Sequence, residues 1–186
     1  MKRPSFDVKG FIVRYLLLIL SASFNLGIFY AVFTPLTVYP VYWITKIFFD
    51  SFLIGTTIVI QESIPIELIE SCIAGSAYFL LLILNMSVPG INTKRRIKMV
   101  LLSFLALLAL NILRIVILII VYMFGASFFD VTHKVFWYAL STLFVVGIWF
   151  AEVKIFKIKE IPVYSDVKSL LESAKKIKKS KSGKKH

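Results

Sequence analysis

The chain has 186 residues, 59% of them apolar and 17% charged, with a mean hydropathy of +0.85. A water-soluble domain carries about 45–50% apolar residues and about a quarter charged, so lipid is the expected solvent. The formal charge of +12 does not call for nucleic acid, because the basic residues gather at the N-terminus, in one short loop and in the tail, where membrane topology accounts for them. A single cysteine excludes an intramolecular disulfide and a Cys-rich metal or cluster site, and two histidines make a protein-built metal centre unexpected; no cofactor is implied.

Taken in chain order, the first apolar stretch, Phe11 to Phe33, follows Lys2, Arg3 and Lys9 and holds Arg14 near its start. It exceeds the roughly 7–15 residues of a cleavable signal core and approaches the ~20 needed to span, so it is expected to be an uncleaved first helix. From Pro40 to Leu53, Lys46 and Asp50 lie four apart while Trp43, Ile47 and Phe52 can point elsewhere, which predicts a helix lying in the outer interface. Thr56 to Ile60, followed by Pro65, predicts a short extended segment. Three further spans are expected at about Ile66 to Val88, Ile97 to Phe124 and Phe128 to Phe156. The fold class expected is therefore all-α: a multipass transmembrane bundle of about four spanning helices with one interfacial helix, occupying 1–156.

The tail that follows, 157–186, is Lys-rich and expected to be disordered in the cytoplasm. From Lys154 to the end there are eleven lysines against Glu160, Asp166 and Glu172. Contact with anionic lipid is the alternative use for it. The basic loop Thr93-Lys94-Arg95-Arg96-Ile97-Lys98 marks the inside, and Asp50, Glu62, Glu67, Glu70 and Asp130 fall outside. The expected location is the plasma membrane, with both termini cytoplasmic.

Polar residues at membrane depth carry the functional information, because a charge at the bilayer centre costs about 2.5–3.5 kcal/mol on insertion scales. Arg114 lies in the apolar run Leu101 to Val121, about 13 Å from the outer end of its helix at ~1.5 Å per residue. Asn111 is one turn away on nearly the same face. Arg114 is either a structural cation paired with Glu70 or helix carbonyls, a residue near water at a shifted boundary, or a functional group. Cys72 stands in the small-residue run Glu70 to Ser76, where a lone cysteine is ordinarily a small buried hydrophobe. His133, just after Asp130, is the histidine able to reach the same membrane face.

Together the three make a coherent chemistry. An imidazole lowers the thiol pKa and protonates a leaving amine, while a fixed guanidinium stabilises an oxyanion. One geometric objection is that side chains lean toward their helix N-terminus, which carries Arg114 away from Cys72.

An outer-facing Cys in a small-residue context, N-x-x-R in the next helix (Asn111-Ile112-Leu113-Arg114) and a His at the head of the last resemble the exosortase/archaeosortase family of multipass membrane cysteine transpeptidases. The resemblance covers roughly Ile58 to Phe150. It implies Cys72 as nucleophile, Arg114 as the essential arginine and His133 as the histidine, with Asn111 in support. The family pattern has a Gly two residues after the Cys, where this chain has Ala74, with Gly75 one later. The implied substrates are membrane-anchored exported proteins with a C-terminal sorting signal: a short motif, a hydrophobic helix and a basic cluster. They would be cut through an acyl-thioester and passed to an amine, a lipid or water; the oligomeric state stays open. The alternative is a non-enzymatic membrane assembly or lipid-binding subunit. A transporter or channel fits less well, since no internal repeat offers an alternating-access design.

Overall fold

The computed structural model describes residues 16, 19, 26–88, 91–125 and 141–158. These residues are mostly helical and include a small sheet. In chain order they form helix α1 (Gly27–Phe48), strands β1 (Ser51–Ile54), β2 (Thr57–Ile60) and β3 (Ile64–Glu67), then helices α2 (Glu70–Ile73), α3 (Gly75–Met86), α4 (Thr93–Met123) and α5 (Ser141–Ile155).

The chain is thus not all-α. Ser51–Glu67 folds into an antiparallel sheet of order β1-β2-β3, its first hairpin turning through Gly55 at φ +61. The extended segment expected at Thr56 to Ile60 is the central strand. Its β-branched side chains suit a pleated surface, and Ile58 and Ile60 are buried on the inward face while Phe52 and Ile54 stand exposed. Pro65 is tolerated in β3 because of register. Leu68 N–H donates to Thr56 O, so the alternate pair Val59 and Pro65 is not hydrogen-bonded, and the missing proline N–H faces away from β2.

The boundary expected at Phe33 and the separate interfacial helix from Pro40 to Leu53 are both revised. One helix runs on through Pro35 and Pro40 to Phe48, and the remaining residues enter β1. Each proline removes one helical N–H donor, yet Thr37, Val38 and Val41 are packed into the core, so tertiary contact holds the helix across both positions. The span expected from Ile66 likewise begins as strand and becomes helical only at Glu70.

Two described helices, Gly27–Phe48 and Thr93–Met123, are long and apolar enough to cross a membrane; the apolar stretch Glu70–Met86 is shorter. At about 1.5 Å per residue, the 31 residues of α4 extend about 46 Å. The expected first span before Leu26, apart from residues 16 and 19, and the Lys-rich tail beyond Ile158 lie outside the described residues.

The core between α1, α3 and α4 is aromatic. Phe33 stacks on Tyr78 with centroids 3.5 Å apart, and Phe104 meets both edge-on at 5.5 Å. Phe29 adds edge contacts to Phe79 and Phe104. Such pairs contribute about 0.5–1.5 kcal/mol each beyond the area they bury, and they fix α3 between its neighbours.

At the end of the bundle away from the sheet, Asn92 caps α4, its side chain accepting from Lys94 N–H at 3.4 Å. Arg96, buried in the first turn of α4, donates to the carbonyls of Asn85 (2.6 Å), Met86 (2.9 Å) and Val88 (2.6 Å). A cation on a helix C-terminus satisfies carbonyls that lack helical partners and complements the dipole. Arg95 donates to the Phe156 carbonyl just beyond α5. The basic loop therefore fastens three helix ends as well as carrying charge.

Candidate functional site

At the sheet end, β3 delivers the chain through buried Leu68 and extended Ile69 into α2, the four-residue turn Glu70-Ser71-Cys72-Ile73. Cys72 N–H donates to Ile69 O (2.8 Å) and Ala74 N–H to Glu70 O (3.3 Å). The helix does not continue straight into α3. Ala74 adopts φ 62, ψ 37, ending α2 and serving as N-cap of α3, with its carbonyl accepting from Ala77 and Tyr78 N–H.

A non-glycine residue in the left-handed region costs about 1–2 kcal/mol, so neighbours must hold it there. Two contacts do. On one side of Ala74, Asn111 Nδ2 donates to the Cys72 carbonyl at 2.8 Å, tying the broken turn to α4. On the other, Tyr30 of α1 lies over Gly75 so closely that a β-carbon there would stand 2.7 Å from the ring. Gly75 is needed for this approach rather than for its dihedral freedom. The Glu70 carboxylate is within electrostatic range of the Tyr30 hydroxyl.

Arg114 completes the constellation. It follows Asn111 by one turn on the inward face of α4, 5% exposed, and its guanidinium interacts electrostatically with the half-buried Cys72 thiol. The lean of helix side chains toward the N-terminus does not prevent the encounter, because Cys72 sits on a turn reached from the same side by Asn111. Of the four expected residues, Asn111 and Cys72 are joined by a hydrogen bond and Arg114 lies within electrostatic range of the thiol. The fourth, His133, lies outside the described residues, as does Asp130. Among the described residues no group of three or more His, Cys, Asp or Glu is arranged to hold a metal ion.

Burial disfavours the charged form of the Cys72 thiol and the Arg114 guanidinium offsets part of that, since a cation stabilises thiolate and oxyanion alike. Tyr30 was not singled out from the sequence, and Ala74 stood out only as a departure from the family pattern. The glycine beside Ala74 signalled a close approach, but which helix makes it could not be read.

No protein-family model matches the chain, and no curated protein or solved structure matches it.

Proposed function

We propose that the chain is a multipass membrane cysteine transpeptidase or peptidase with Cys72 as nucleophile. The observation that carries the reading is the double engagement of one residue. Asn111 holds the Cys72 backbone, and the Arg114 guanidinium, one turn along α4, is within electrostatic range of its sulfur. Long apolar α1 and α4, with shorter α3 and α5 beside them, support a bundle of about four spans. In this reading the sheet and Cys72 lie on the extracellular side, the Arg95–Arg96 end and both termini in the cytoplasm.

In the proposed reaction the Cys72 thiolate attacks the scissile carbonyl, forming an S–C bond and a tetrahedral oxyanion stabilised by the Arg114 guanidinium. The C–N bond then breaks, and the departing amine takes a proton from the His133 imidazolium. Water or an amine attacks the acyl-thioester, gives its proton to the imidazole and releases the Cys72 thiolate. The substrate class is membrane-anchored protein with a C-terminal sorting signal, a hydrophobic helix and a basic cluster.

Ala74 adds a specific support for the family resemblance. The family pattern carries glycine at this position, and here the residue adopts the left-handed backbone that glycine favours. The departure in residue type accompanies the backbone conformation that the glycine would serve.

The test is co-expression with an exported reporter ending in such a signal. Cys72→Ala and Arg114→Ala should leave it uncut while the enzyme stays inserted; normal processing in both overturns the proposal. Loss of one oxyanion-stabilising group is worth about 100- to 1,000-fold in rate. If the chain is instead a non-enzymatic assembly or lipid-binding subunit, in which Asn111 and Arg114 join helices, Cys72 resists N-ethylmaleimide in intact cells and His133→Ala changes nothing.

A further inference from the structure

Far along α3 from Cys72, a second set of polar side chains is sealed between α3, α4 and α5. Asn85 and Ser103 are fully buried and Glu152 is 1% exposed. Asn85 Nδ2 donates to Glu152 Oε2 (3.1 Å), and lies 3.3 Å from Ser103 Oγ and 3.0 Å from Leu81 O. The Ser103 hydroxyl donates to Val100 O at 3.0 Å.

Among the described residues, two oxygens in this cluster have no hydrogen-bond partner, Asn85 Oδ1 and Glu152 Oε1. They belong to residues already joined by one hydrogen bond. With the carboxylate ionised both are acceptors, and a buried acceptor without a donor costs about 1–3 kcal/mol, more when charged. A single proton on Oε1 converts one orphan into the donor the other lacks.

We propose that Glu152 is a proton-binding site. Its neutral carboxylic acid and the Asn85 amide form a cyclic pair, Oε1–H donating to Oδ1 while Nδ2–H donates to Oε2, locking α5 to α3. The ionisable groups around the cluster fit this assignment. From α4 come Arg96, whose guanidinium is directed at the carbonyls of residues 85, 86 and 88, and Arg95, which donates to the Phe156 carbonyl one turn beyond Glu152. On α3 the nearest ionisable side chain in sequence is Tyr78, two turns away, and on α5 it is Lys154, which is exposed. Ser103 lies against the carboxyl with both its hydroxyl and its backbone, but its hydroxyl hydrogen is directed to Val100 O.

The experiment uses the full chain in detergent, comparing wild type with Glu152→Gln by infrared difference spectroscopy and thermal unfolding. A protonated-carboxyl C=O band should be present in wild type and lost in Glu152→Gln. The glutamine amide reproduces the neutral acid, donating to Oδ1 and accepting from Nδ2, so its unfolding midpoint should match wild type, while Glu152→Ala and Asn85→Leu unfold at lower temperature. Stability carried by the bound proton is lost on raising the pH, so the wild-type midpoint should fall there and that of Glu152→Gln should not. The proposal is overturned if no such band is lost, or if Glu152→Gln is as unstable as Glu152→Ala. It is equally overturned if the wild-type midpoint rises with sodium chloride but not choline chloride, which would assign the oxygens to a metal cation.

Discussion

The molecule buries two arginines on one helix, and they are handled in opposite ways. Arg96 sits where α3 ends and donates to three of its terminal carbonyls, so a cation and a helix terminus satisfy each other. Arg114, 18 residues further along α4, lies near a helix that has been broken at Ala74, within electrostatic range of a thiol. One end of the bundle is regular and capped; the other holds a left-handed alanine in place by packing from α1 and a hydrogen bond from α4. Backbone strain and a charge within reach of a thiol at the same place are what the proposed reactive site rests on, whereas a charge absorbed by carbonyls is a fastening.

That contrast breaks most decisively under substitution of the two cations. Arg96→Met leaves three carbonyls at the end of α3 without their donor and should destabilise the detergent-solubilised protein by about 3 kcal/mol or more, since each buried acceptor left unsatisfied costs about 1–3 kcal/mol. Thermal unfolding reads it, and an effect below about 1 kcal/mol would make Arg96 a topology signal only. Arg114→Gln should instead slow N-ethylmaleimide labelling of Cys72 by about tenfold or more, because the thiolate loses its counter-charge.

Smaller effects test how the broken turn is held. Gly75→Ala drives a methyl into the Tyr30 ring and should cost about 1–3 kcal/mol, relieved in part by Tyr30→Leu; additive costs would mean the two are not in contact. Asn111→Ala leaves the Cys72 carbonyl without its side-chain donor, for about 1–3 kcal/mol, together with a changed labelling rate.

That Cys72 and Arg114 lie within electrostatic range of each other was legible because both are misfits in apolar runs, and a misfit at depth must face a partner. Glu152 obeys the same rule, yet it lies among the basic residues that open the tail, where a carboxylate reads as one more surface charge. The central strand was legible in its β-branched run, but β1 was not. Lys46 and Asp50 at helical spacing suggested a helix across a stretch that leaves α1 at Phe48 and enters the sheet at Ser51. The helix boundary missed near Phe33 has a similar origin, since Pro35 reads locally as a breaker and only packing of Thr37, Val38 and Val41 carries the helix past it. The break at Ala74 had no local signal at all. Alanine is the strongest helix former, and its conformation here follows from Tyr30 and Asn111, residues 44 and 37 positions away.

The smallest effect is also the most specific, because it has the opposite sign to its neighbour's. At Ala74 a glycine should stabilise. Relief of the left-handed backbone is worth about 1–2 kcal/mol, against about 0.5–1 kcal/mol for the greater freedom of glycine in the unfolded chain. The net expectation for Ala74→Gly is a gain of about 0.5–1 kcal/mol in thermal unfolding, while Gly75→Ala, one residue on, loses more than that. If both substitutions destabilise, α2 and α3 are one continuous helix in solution, Cys72 returns to an ordinary helical position, and the geometric case for a nucleophile at this turn fails with it.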